Sequence, residues 1–145
     1  MNTKQFKLTL EQQAGAIDAI VNELHIFLYQ DSVPFLEQAI RSGWEVIIVT
    51  FGDQDWQAKK LQALKHYLPT EIKTLISPSK KINHITHLIT DRVILIDDKA
   101  EEIDAIKQAF PKVEAYWMRR SEGKYRDEEP TTSHQTVNSL KQIKL

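Results

Sequence analysis

Two apolar runs, Val46–Val49 inside WEVIIVT and Val93–Ile96 inside RVILI, constrain this chain more than any other feature. Neither run interleaves polar residues, so neither suits a sheet with one wet face, where apolar and polar side chains alternate. Apolar residues at successive positions over strand length belong to a strand buried on both faces. Such a strand needs helices above and below it.

The rest of the chain supplies them. Over residues 9–28, Ala14, Ile17, Ile20, Val21, Leu24 and Phe27 fall at helical spacing, with Thr9 and Gln12 placed as a capping box. A break at YQDSVP leads to a short helix over 35–43 that Gly43 closes. A strand over 44–50 follows, then a helix over 53–68 that Pro69 ends, with Asp53 and Asp55 as its caps. The spacing next predicts a strand at 72–77, a helix at 80–90, a strand at 92–96 and a helix at 99–110 stopped by Pro111. A strand at 113–119, a flexible loop at 119–133 and a C-terminal helix at 136–145 complete the chain. Strands alternating with helices predict an α/β, Rossmann-like parallel sheet, doubly wound, in one domain of 145 residues.

Composition narrows the function classes. Nineteen basic and 20 acidic residues are well mixed, for a formal charge of −1, which leaves no electrostatic footprint for nucleic acid. Without cysteine there is no disulfide, no thiolate catalysis and no Cys-ligated zinc. His84 and His87 share one predicted helix but lack a third ligand at zinc spacing. The polar N-terminus and the absence of any run near the ~18 apolar residues of a membrane span imply a cytoplasmic protein with no membrane partner.

In open parallel sheets, ligands bind at the carboxyl ends of the strands. Strand 44–50 ends in Thr50, followed by Phe51 and Gly52; strand 72–77 leads to Lys80 and Lys81; strand 92–96 runs into Asp97 and Asp98. Adjacent carboxylates repel unless a cation relieves them, and Mg²⁺ takes carboxylate oxygens while keeping waters. Thr50 with the backbone N–H groups of Phe51 and Gly52 suits phosphate oxygens, and a lysine adds a point charge. The structural alternative makes Asp98 the N-cap of helix 99–110. Arg119 and Arg120 follow the last strand, where solvated side chains are the first reading and a substrate phosphate the second.

The ordered set VIIVTFG, SKKINHI and VILIDDK resembles the second, third and fourth signature motifs of the haloacid dehalogenase superfamily of Mg²⁺-dependent phosphohydrolases. The resemblance implies a core over 31–145, with residues 1–30 as an N-terminal helical remnant of a cap. It implies Thr50 and Lys81 as catalytic residues, with Lys80 still possible, Thr50, Phe51, Gly52 and Lys81 around phosphate, and Asp97 and Asp98 on Mg²⁺. The implied substrate is a small phosphorylated molecule. The superfamily's first motif, a strand ending in Asp-x-Asp that supplies the nucleophile, has no counterpart before residue 31; the DQD at 53–55 follows Thr50 instead. The expectation is therefore a phosphohydrolase domain, truncated or inactive as it stands. The alternative is a non-catalytic Rossmann-like binding module. Either way a slot should open between neighbouring strands, to be filled by QFKLTL (5–10), by a second copy or by a strand-completing partner.

Overall fold

The computed structural model of the protein describes residues 18–145. The predicted capping box at Thr9 and Gln12 and the strand-like QFKLTL lie outside the described residues. Residues 18–22 are helical, and Leu24–Phe27 tighten into a 3₁₀ turn. This segment lies against the helix over Gln54–Leu64, where Asp18 pairs with Lys59 at 3.4 Å, and just past the end of that helix His25 stacks on Tyr67 at 4.2 Å.

Helix α1 spans Ser32–Arg41, starting earlier than predicted because Pro34 sits in the first turn, where a missing N–H costs nothing. Gly43 ends it at φ +86, with Gly43 N–H donating to Ile40 O and Trp44 N–H to Ala39 O at 3.0 Å each. These two bonds satisfy the last carbonyls in the Schellman pattern. Strand β1 (Ile47–Phe51) pairs in parallel with β2 (Lys73–Ser77), and α2 (Gln54–Leu64) joins them. Asp53 caps α2 as expected, its carboxylate accepting the Trp56 N–H at 2.9 Å.

The predicted helix over 80–90 shrinks to α3 (Ile82–Ile85) and a 3₁₀ turn at Thr86–Leu88. Ile82, Ile85, Thr86, Ile89 and Thr90 are β-branched and pay χ1 entropy in a helix, and Ile89 is already extended toward the next strand. Strand β3 (Ile94–Asp97), α4 (Ala100–Ala109) and strand β4 (Glu114–Met118) follow close to prediction. The C-terminal helix expected at 136–145 is corrected. Gln135–Val137 is strand β5, parallel to β4, and only Leu140–Gln142 turn as 3₁₀, started by a Ser139/Gln142 capping box. Thr136 and Val137 favour a strand, and the edge of β4 at Trp117 and Met118 was free to receive them.

The parallel sheet is present, and among the described residues it is in two pieces: β1-β2 and β3-β4-β5. Alternate residues of β3 serve two cores. Leu95 packs with Ile85, Ile106 and Val113 on the α3–α4 side, and Ile94 and Ile96 pack with Tyr116, Val137 and Phe35 on the α1 side. This two-sided burial is what the uninterrupted apolar run demands. β1 and β3 face each other without pairing, and a cavity of about 340 Å³ lies between them, walled by Ile48, Val49, Ile94, Leu95 and Phe35.

Candidate functional site

The carboxyl ends of the strands carry the polar residues that the core excludes. β3 delivers Asp97 and Asp98 to this rim, where Trp117 Nε1 donates to Asp98 O at 3.0 Å and fixes the strand end from the neighbouring β4. Asp97 is buried, its side chain only 4% exposed. One carboxylate oxygen accepts the Lys99 N–H at 2.9 Å and the other accepts Lys81 Nζ at 2.5 Å. Asp98 is therefore not the cap of α4; Asp97 reaches the backbone there instead.

Lys81 is positioned by a residue the sequence did not single out. Glu102, buried on the inner face of α4 beside Ile103 and Ile106, accepts the Lys81 backbone N–H at 3.0 Å. A charged residue at a buried position of an amphipathic helix was its only sequence signal. The choice between the two lysines resolves geometrically: Lys81 turns inward to Asp97, and Lys80 forms an exposed pair with Glu101 at 2.8 Å.

Asp98 sits at the surface, yet its carboxyl is held above the ordinary carboxylate range, by partial burial first and by the Asp97 charge second, with Lys81 opposing. It forms no ion pair among the described residues. A carboxylate in this position, next to one whose oxygens are engaged by Lys81 and a backbone N–H, suits a hard divalent cation, which needs one or two carboxylates and fills its remaining positions with water or ligand oxygens. No group of three or more His, Asp or Glu gathers to hold a metal among the described residues.

On the other side of the cavity, Thr50 lies one residue before the end of β1 and does not meet Lys81 or Asp97. Its hydroxyl donates to Gln57 Oε1 at 2.9 Å, and Gln57 Nε2 donates to Phe51 O at 3.0 Å. Gln57 is a buried residue of α2 that closes the end of β1 back on its own helix. The Gly52 N–H goes to Ser77 O at 3.1 Å, so this donor is committed to β2. Gly52 has φ +134, and a Cβ there would stand 2.8 Å from Gln57 Nε2, which explains glycine at this turn.

Arg120 approaches the rim from β4. Its guanidinium lies 3.8 Å from the centre of the Tyr29 ring and donates to both Asp31 oxygens at 2.8 and 3.0 Å. Asp31 also accepts from Ser139 Oγ and the Leu140 N–H at 2.8 Å each. A second cavity of about 340 Å³ opens here, bordered by Lys81, Asp97, Asp98, Arg120, Tyr29 and Ser32. Arg119 instead bonds Arg126 O at 2.8 Å and lies over Trp117, away from that cavity's lining. His84 bonds Ser79 Oγ at 2.9 Å and belongs to no metal cluster among the described residues.

No helix among the described residues is long and apolar enough to cross a membrane. Compared with protein-family models, curated proteins and solved structures, the chain matches none.

Proposed function

We propose that this α/β domain is a haloacid dehalogenase-like phosphohydrolase core that binds Mg²⁺ and a small phosphorylated ligand, truncated or inactive as it stands. The observation that carries the reading is the Lys81–Asp97 pair at 2.5 Å beside the uncompensated Asp98, on the carboxyl rim of a parallel sheet. Asp97 and Asp98 would hold Mg²⁺, which supplies positive charge to phosphate oxygens. Lys81, steered by Glu102, holds Asp97 in place and brings a second positive charge to the same cavity. Arg120 borders that cavity with Tyr29, positioned for an anion that reaches past Asp98. The chain has no strand-end Asp-x-Asp, so no residue takes the part of an attacking carboxylate.

Titration with Mg²⁺ tests this. At ten times its Kd, Mg²⁺ should raise the melting temperature by about 3–6 °C, and Asp98→Asn should remove the effect. Adding inorganic phosphate with Mg²⁺ should raise it further. A melting temperature indifferent to both would leave the domain as a non-catalytic binding module. The occupied Thr50 hydroxyl and Gly52 N–H already favour that second reading for the β1 side of the rim.

A further inference from the structure

Outside the rim, the loop that follows β4 borders a cleft of about 510 Å³ whose lining includes Arg119, Arg120 and Arg126. Arg120 stands between this cleft and the rim cavity, and its guanidinium is taken up by Asp31 and by Asn138 O. The other two arginines are held differently. Arg119 donates its Nε–H to Arg126 O at 2.8 Å, and Arg126 donates one terminal nitrogen to Ser121 O. Each guanidinium is fastened at one edge to a main-chain carbonyl of the loop, which fixes its direction without neutralising its charge.

The backbone beneath them is tied down as well. The Arg119 N–H goes to Val137 O at 2.7 Å, which extends the pairing of β4 with β5, and the Gly123 N–H closes a turn on Arg120 O at 3.0 Å. Both terminal nitrogens of Arg119 and one of Arg126 are left without a partner among the described residues. The acids of the cleft do not match this surplus. Glu122 already accepts from the Ser121 and Tyr29 hydroxyls, and Asp127 reaches only Arg126 Nε, at 3.6 Å, with its side chain 81% exposed. Residues 1–17 carry two lysines and one glutamate, so they add positive charge rather than balance it.

We propose that Arg119 and Arg126 form an oxyanion site for a phosphoryl group, separate from the rim of Asp97 and Asp98. One guanidinium fork is enough to saturate a planar carboxylate. Two forks on one cleft offer more donors than that, and a tetrahedral dianion uses both. Its charge also offsets the repulsion between two cations held side by side. The site uses neither Asp98 nor a metal, so it stands or falls apart from Mg²⁺ binding.

The test titrates the full chain with inorganic phosphate in EDTA at constant ionic strength, following the arginine Nε–H resonances by NMR. Those of Arg119 and Arg126 should shift together, with a Kd on the order of 1 mM. Arg119→Gln should weaken binding by about tenfold, read at Arg126. That variant also removes a bond within the loop, so Asp127→Asn supplies the opposite sign. Taking away the competing carboxylate should tighten binding about two- to threefold, which a disturbed loop does not do. Asp98→Asn should leave the titration unchanged. Glycerol 3-phosphate separates the sources of the group: binding equal to or tighter than that of phosphate assigns the cleft to a phosphate ester, and weaker binding assigns it to the free ion. The proposal is overturned if neither resonance shifts, if Asp127→Asn binds no more tightly, or if the phosphate effect requires Mg²⁺ and disappears in Asp98→Asn.

Discussion

Lys81 Nζ stands 2.5 Å from Asp97 Oδ2, across 16 positions of sequence, with the lysine side chain 17% exposed and the aspartate 4%. Removing one partner of such a pair leaves a buried charge whose desolvation is no longer offset. Lys81→Met should therefore destabilise the domain by about 2–4 kcal/mol, the Lys99 N–H softening the loss. Lys80→Met, which removes only an exposed pair, should cost less than about 0.5 kcal/mol. Urea midpoints of the two variants decide it, and equal losses would contradict the assignment of the inner lysine.

Asp98 predicts the opposite sign. Its folded-state carboxyl is raised by partial burial and then by Asp97, so the folded chain binds this proton more tightly than the unfolded chain does. Ionising it therefore costs stability, and the cost grows as pH rises through the raised value and vanishes well below the ordinary carboxylate range. Asp98→Asn should raise the melting temperature at pH 7 by about 1–3 °C, the effect being small because solvent screens an exposed residue. At pH 3 the gain should disappear. Thermal melts at the two pH values measure the difference, and a variant less stable than the parent at pH 7 would show that the carboxylate is already compensated.

What the sequence made legible follows from how each element is stabilised. β1 and β3 announce themselves because burial on both faces forces an unbroken apolar run, and Gly43 and Asp53 mark helix ends through local bonds that span three to five residues. β5 was missed because three residues carry no periodicity; it exists through the free edge of β4. The rim divides in the same way. Strand-end placement pointed to Asp97, Asp98, Lys81 and Thr50, but the partners that set their geometry are distant and chemically ordinary in sequence. Glu102 lies 21 positions from Lys81 and Asp31 lies 89 from Arg120. Gln57, which takes the Thr50 hydroxyl, reads in sequence as one more polar residue on a helix.

The loop over 119–133 was expected to be flexible, yet it is tied at one end by Asp104. This carboxylate accepts the N–H and hydroxyl groups of both Thr131 and Thr132, at 2.6 to 3.0 Å. Burial works to raise its pKa, but the bonds from the Thr132 hydroxyl and the two backbone N–H groups outweigh it and lower the value to about 2. A depressed folded-state value means stability that is present above the unfolded value of 3.8 and is lost as pH falls from about 4 toward 2. Asp104→Ala should cost about 1–2 kcal/mol at pH 7 and flatten the acid limb of the stability profile over that window. Denaturant melts between pH 2 and 7 test both parts, and an unchanged acid limb would remove Asp104 from the account.

Asp31 and Arg120 join the start of α1 to the end of β4, so their loss should be felt at both. Burial pushes the Asp31 carboxyl up, and the bonds from Arg120, Ser139 and the Leu140 N–H outweigh it and bring it below the usual value. Arg120→Met keeps an aliphatic chain over Tyr29 but leaves Asp31, 7% exposed, with neutral donors only. The expected loss is about 2–3 kcal/mol at pH 7, shrinking as pH falls below 4 and Asp31 becomes protonated. Arg120→Lys should recover less than half of it, because a single ammonium cannot reproduce both guanidinium bonds and the stacking on Tyr29. If this pair serves only stability, neither variant should alter the Mg²⁺-dependent rise in melting temperature once corrected for the lower baseline. If Arg120 also binds the ligand anion, both variants should keep the Mg²⁺ effect and lose the added effect of phosphate, a separation that stability loss alone does not produce.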